Sequence, residues 1–155
     1  EEEEEEEELE SRDYVFENLT RPNEHQLICF LYFTRGYIYD QLESTKQAYG
    51  DYTRSLEYNT QATVTRTHRG RLLFDNEQFE EAKIDLTKAV ALDKEYIPAL
   101  LKLGQLYEDP YEERGKAIDI YDQVLKIEPE HIYAKAYRST LIYEVAKRTA
   151  SLVTL

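Results

Sequence analysis

Methionine and tryptophan are absent from this sequence, and cysteine occurs once, as Cys29. A lone cysteine cannot form an intramolecular disulfide, which excludes the small disulfide-stapled secreted scaffolds and favours a reducing compartment. With no methionine, the chain as it stands does not open at an initiator, and it reads as a fragment or processed form of a longer one. Glycine and proline together number nine in 155 residues, too few for a β-protein that turns every ~8–12 residues. The expectation is helical. The longest apolar run, Leu27 to Phe33, has seven residues, against the ~20 of a membrane-spanning helix. No membrane insertion is expected, and eight opening glutamates are the opposite of a signal peptide. The sequence therefore reads as an intracellular, cytoplasmic domain.

Basic residues are scarce beside acidic ones, 19 against 32, for a net charge of −13. The run Glu1 to Glu8 supplies eight of those negative charges; without it the balance is 19 against 24, or −5. Phosphate contacts need Lys and Arg gathered on one face. No such stripe is present, so nucleic acid is not an expected partner.

What is present is a period. Gly36, Gly70 and Gly104 lie 34 residues apart, and Ala48 and Ala82 follow the first two glycines by 12 residues. Ala117 follows the third by 13, with Asp109-Pro110 in the gap. Helices end readily before proline, so the extra residue is expected to lengthen an inter-helix turn. A glycine inside a helix costs ~1 kcal/mol relative to alanine, so three in register imply a packing reason. They are expected to let a neighbouring helix approach closely, as is Ser139 in a fourth phrase, with Ala48, Ala82 and Ala117 serving that contact from the other side. Apolar spacing supports amphipathic second helices, through Phe79, Ala82, Leu86, Ala89 and Val90, and through Ala117, Ile120, Tyr121, Val124 and Leu125.

These phrases resemble the tetratricopeptide repeat (TPR), a 34-residue helix–turn–helix with the pattern W-x₂-L-G-x₂-Y…A-x₃-F…P. Leu100-x₂-Leu103-Gly104-x₂-Tyr107, Ala117-x₃-Tyr121 and Pro129 match it in the third unit. Tyr32-x₂-Arg35-Gly36-x₂-Tyr39 with Ala48-x₃-Tyr52, and Arg66-x₂-Arg69-Gly70-x₂-Leu73 with Ala82-x₃-Leu86, match it in the first and second. Lys135-x₂-Arg138-Ser139-x₂-Ile142 keeps the spacing of a fourth first helix. The resemblance implies an all-α, right-handed superhelical array of antiparallel helix pairs, a TPR solenoid. The expected organisation is an acidic tail (1–10), a helical extension (11–28), units over 29–62, 63–96 and 97–131, and a capping or fourth first helix (132–155). A short helix is expected over Asp13 to Leu19, and the first long helix from near Pro22 through Leu42.

No catalytic constellation emerges. His25, His68 and His131 lie 43 and 63 residues apart with no cysteine partner, unlike the short paired spacings of a zinc site. Cys29 sits in an apolar stretch and reads as a buried thiol. Glu80-Glu81 and Glu112-Glu113 fall near helix starts, where they suit the dipole. No phosphate loop, metal site or cofactor is expected, and the chain is not read as an enzyme.

The TPR resemblance implies a concave groove lined by the first helices, holding an extended peptide or a helix of a partner. The positions it carries over are Phe30, Phe33 and Tyr37; Val64, Thr67, His68 and Arg71; Leu101, Lys102 and Gln105; and Tyr133, beside Pro98, Ala136 and Thr140. Arg71 is the main charge there and is expected to meet an acidic group of the ligand. In chaperone-binding members a carboxylate clamp grips a terminal carboxylate; its positions here hold Phe33, Tyr37, His68, Pro98 and Lys102, so clamp binding is not expected. The expected function is a scaffold or adaptor within a multiprotein complex. The alternatives are a structural subunit of a large assembly, or a regulatory or targeting domain of an enzyme whose catalytic part lies elsewhere.

Overall fold

The computed structural model describes residues 24–153, with side chains to residue 151. The expectations for the acidic tail, for the helix over Asp13–Leu19 and for a start at Pro22 lie outside these. Among the described residues there are seven helices and no strand. They are α1 (Glu24–Gln41), α2 (Thr45–Tyr58), α3 (Thr63–Asp75), α4 (Phe79–Leu92), α5 (Ile97–Glu108), α6 (Arg114–Ile127) and α7 (Ile132–Val153). Consecutive helices pack as antiparallel pairs, α1 on α2, α3 on α4 and α5 on α6.

The reason for the glycine period lies in these pairs. A Cβ built on Gly36 would stand 3.0 Å from Tyr52 Cδ1, one on Gly70 2.9 Å from Leu86 Cγ, and one on Gly104 2.8 Å from Tyr121 Cε1. Each first helix is therefore seated directly against a large side chain of its second helix. The nearest atom in each case belongs to the residue one turn beyond Ala48, Ala82 or Ala117, with the Cβ of Asp51 and Asp85 also close to Gly36 and Gly70; all three alanines are fully buried. Ser139 departs from expectation. It is exposed, because no further helix lies against it among the described residues.

Turns repeat as well as helices. Glu43, Glu77 and Glu112 each stand two residues before the next helix, with φ of 57°, 62° and 53°. This is the left-handed region that non-glycine residues rarely visit, and each within-pair turn places a glutamate there at the same distance from the next helix. The turn containing Asp109-Pro110 spans residues 109–113, against 42–44 and 76–78 in the other pairs, so the inserted residue does lengthen it.

The apolar core is continuous from α3 to α7, joining Leu73, Leu86, Leu100, Leu106, Tyr121, Val124 and Leu141 among others. Full burial of each such side chain contributes about 1.5–3 kcal/mol. The first pair holds on differently, through a small cluster of Ala48, Tyr52 and Leu72 and through polar links. Ser55 Oγ donates to the Cys29 carbonyl at 3.0 Å, and Cys29 itself is buried. Arg35 grips Asp51 with Nε and Nη2 at 2.6 and 2.8 Å, and Arg69 grips Asp85 at the same two distances.

Candidate partner-binding groove

First helices of adjacent pairs touch, α1 with α3 and α3 with α5, while the second helices make no comparable contact among the described residues. First helices thus line the inner side of the array. At its N-terminal end three aromatic residues gather around His68. Its ring meets Phe33 and Tyr37 edge-on, at 5.4 and 5.5 Å between centroids, and lies 5.9 Å from Tyr52. Phe33 packs on the buried cluster below, whereas Tyr37 is 42 % and Phe30 61 % exposed.

Charge on this face is already paired. Arg71 donates to Asp40 through a short contact and to Asp75 at 2.9 Å, and Lys102 stands 3.8 Å from Asp75. Asp40 also accepts from the Tyr52 hydroxyl at 3.1 Å. Arg71, expected to offer its charge to an acidic ligand, is already engaged in this chain of ions across α1, α3 and α5. Sequence reasoning placed the cations but missed Asp40 and Asp75, which answer them; Asp75 lies one helical turn from Arg71, and that spacing was a usable signal. Lys102 also lies 4.6 Å over the Phe74 ring. Burial pushes its ammonium down, and Arg71 adds to this against the pull of Asp75.

The remaining expected positions divide. Val64 and Tyr133 are exposed, at 42 % and 67 %. Leu101 is partly buried against the core, and Gln105 Nε2 donates to the Tyr137 hydroxyl at 3.5 Å. Thr67 is a correction: it is buried, and its hydroxyl donates to the Thr63 carbonyl of its own helix. A threonine at that step of α3 turns its side chain into the packing between helices.

His68 is half-buried, and its Nδ1 is enclosed with no hydrogen-bond partner. Burial, and then Arg71, lowers its pKa, with Asp40 opposing them weakly. The folded chain thus keeps His68 neutral where the unfolded chain takes up a proton. The stability this confers is complete above about pH 6.5 and is lost as the pH falls below it. Melting temperatures measured from pH 5 to pH 8 should fall less at the acid end for His68→Phe than for the parent. Parallel curves would refute the assignment.

Comparison with known proteins bears on this geometry. A family profile described as tetratricopeptide repeat matches residues 65–96, which cover α3 from its third residue, α4 and the turn between them. The chain has the TPR fold. Among solved TPR domains, the first TPR of Spaghetti (RPAP3), bound to the HSP90 peptide SRMEEVD, superimposes with a TM-score of 0.73 at 22 % identity, over 78 % of this chain and 98 % of that one. The Arabidopsis OM64 TPR domain gives 0.73 at 21 %, over 77 % and 98 %. The second TPR domain of human RPAP3, with the HSP70 peptide SGPTIEEVD, gives 0.67 at 21 %, over 78 % and 98 %. No curated protein matches the sequence. Within the described part of this TPR array, no three His, Cys, Asp or Glu side chains gather as metal ligands, and no helix is long and apolar enough to cross a membrane.

Proposed function

We propose that the chain is a non-catalytic protein-interaction module, a scaffold or adaptor that holds a peptide or helix of a partner along its first-helix face. One observation carries this reading: Phe30 and Tyr37 are exposed on the first-helix face, Tyr37 edge-on to His68, beside ions that are paired with each other. A face whose charges are internally satisfied and whose aromatic rings are open favours an apolar or aromatic side chain, since burying large rings is what drives such contacts.

TPR domains of the same fold have been solved on HSP90 and HSP70 peptides. The exclusion of such peptides, argued from Phe33, Tyr37, His68 and Pro98, therefore has no support from the comparisons, and both peptides belong in the test. Peptides selected by display against the chain, together with SRMEEVD and SGPTIEEVD, are titrated against the parent and a Phe30→Ala/Tyr37→Ala double variant. Loss of at least about tenfold in affinity for the selected peptides is expected, the usual effect of removing aromatic anchors. Selected peptides that bind both proteins equally would remove the aromatic groove as the site.

A further inference from the structure

The stripe of α7 that carries Arg138 and Ser139 has the register of a first helix whose partner is absent. Lys135, Arg138, Ser139 and Ile142 stand where Arg66, Arg69, Gly70 and Leu73 stand in α3. In α3 that stripe is covered by α4: Leu73 is 4 % exposed, Leu86 lies on Gly70, and Arg69 holds Asp85 with two nitrogens. On α7 the same stripe is bare, with Ile142 41 % and Tyr143 69 % exposed and Ser139 open.

Arg138 completes half of the pattern. Arg69 reaches forward to Asp85 and back to Thr53 of the preceding second helix. Arg138 makes the backward contact, Nε to Asp122 of α6, and its side chain remains 38 % exposed. A guanidinium presents a fork of donors suited to a second carboxylate. The described residues after Ser139 do not turn back to supply one. In the other pairs the first helix ends within five residues of the glycine, whereas α7 continues unbroken from Ser139 to Val153. At 1.5 Å per residue that carries the chain roughly 20 Å past the stripe.

We propose that this face of α7 docks an amphipathic helix from a partner protein, one presenting an aspartate directly followed by a bulky apolar residue. The chemistry is that of the second helices already seated in this array, Asp51-Tyr52 on Gly36 and Asp85-Leu86 on Gly70. The aspartate meets Arg138, the apolar residue rests on Ser139, and Ile142 and Tyr143 are covered.

The test uses a fluorescent peptide with the sequence of residues 79–92, titrated into the full chain and followed by anisotropy. Saturable binding is expected, weakened at least about tenfold by Ile142→Asp or by Ser139→Glu and unchanged by Tyr37→Ala. Asp85→Lys in the peptide should weaken binding to the parent, and Arg138→Glu in the chain should restore it. Ser139 and Ile142 are exposed, so these variants should keep the parent's helical circular dichroism; the charge exchange answers the question independently if one does not. No saturable binding, or binding indifferent to Ile142→Asp, Ser139→Glu and the charge exchange, overturns the proposal.

Discussion

Replacing Gly104 by alanine is expected to destabilise the chain by about 2 kcal/mol, although the same change in an open helix position stabilises by about 1 kcal/mol. The new methyl would meet Tyr121 at 2.8 and 2.9 Å from two ring carbons. That ring cannot yield easily. It is fully buried, stacks on Tyr137 at 5.5 Å, and donates its hydroxyl to Glu108 at 3.2 Å. Gly70→Ala should come next, since its obstacle is the branch carbon of buried Leu86, and Gly36→Ala should cost least, its nearest atom being 3.0 Å away. Gly50 is the internal control. It lies within α2 with nothing inside 4 Å of a Cβ, so Gly50→Ala should stabilise by about 0.5–1 kcal/mol. Urea unfolding of the four variants checks the order, and a stabilising Gly104→Ala would refute the packing account.

The second large effect concerns Asp85. It is 2 % exposed and held by Arg69, whose side chain is 17 % exposed, with Arg66 at 3.4 Å. Removing one member of a buried pair leaves the other charge uncompensated, so Asp85→Ile alone is expected to cost about 3–5 kcal/mol. The third unit indicates the remedy, because it holds Leu103 and Ile120 at these two places, both within the large apolar core. The double variant Arg69→Leu/Asp85→Ile should therefore recover most of the loss, as apolar replacements of buried ion pairs often do. Arg66 keeps the Thr60 carbonyl as an acceptor in either case. A double-mutant cycle by urea unfolding measures the coupling, and additive losses would contradict it. The corresponding pair in the first unit should couple more weakly, since Arg35 is 58 % exposed and water screens it.

Much of the architecture is written in short-range spacing. Gly36, Gly70 and Gly104 mark each first helix, and the stripes through Ala82 and Ala117 mark the faces that are buried. Less could be read of what one unit does to the next. Nothing local to Arg71 reports that Asp40, 31 residues earlier, lies within reach of it, and nothing local to Thr67 says that its side chain is buried between helices. The bare stripe of α7 was hidden for the opposite reason. Its residues keep the phrase of a first helix, so Ser139 was read as a packing residue. What decides its exposure is the continuation of α7 through the point where the other pairs turn back.

The unequal cores carry a consequence for cooperativity. Arrays of this kind are stabilised by nearest-neighbour interfaces, so segments of different strength open separately. Residues of α3 to α7 share one apolar cluster of twelve buried members, whereas α1 and α2 rest on a separate cluster of three, Ala48, Tyr52 and Leu72, beside buried Cys29 and Leu56 and a few polar links. In native-state hydrogen exchange, amides of α1 and α2 should open by a lower-energy fluctuation than those of α5 and α6. The aromatic residues of the groove's N-terminal end sit on that weaker segment. A ligand gripping Tyr37 and His68 together would tie α1 to α3, and its occupancy would be legible as slowed exchange far along α1, at residues it never touches.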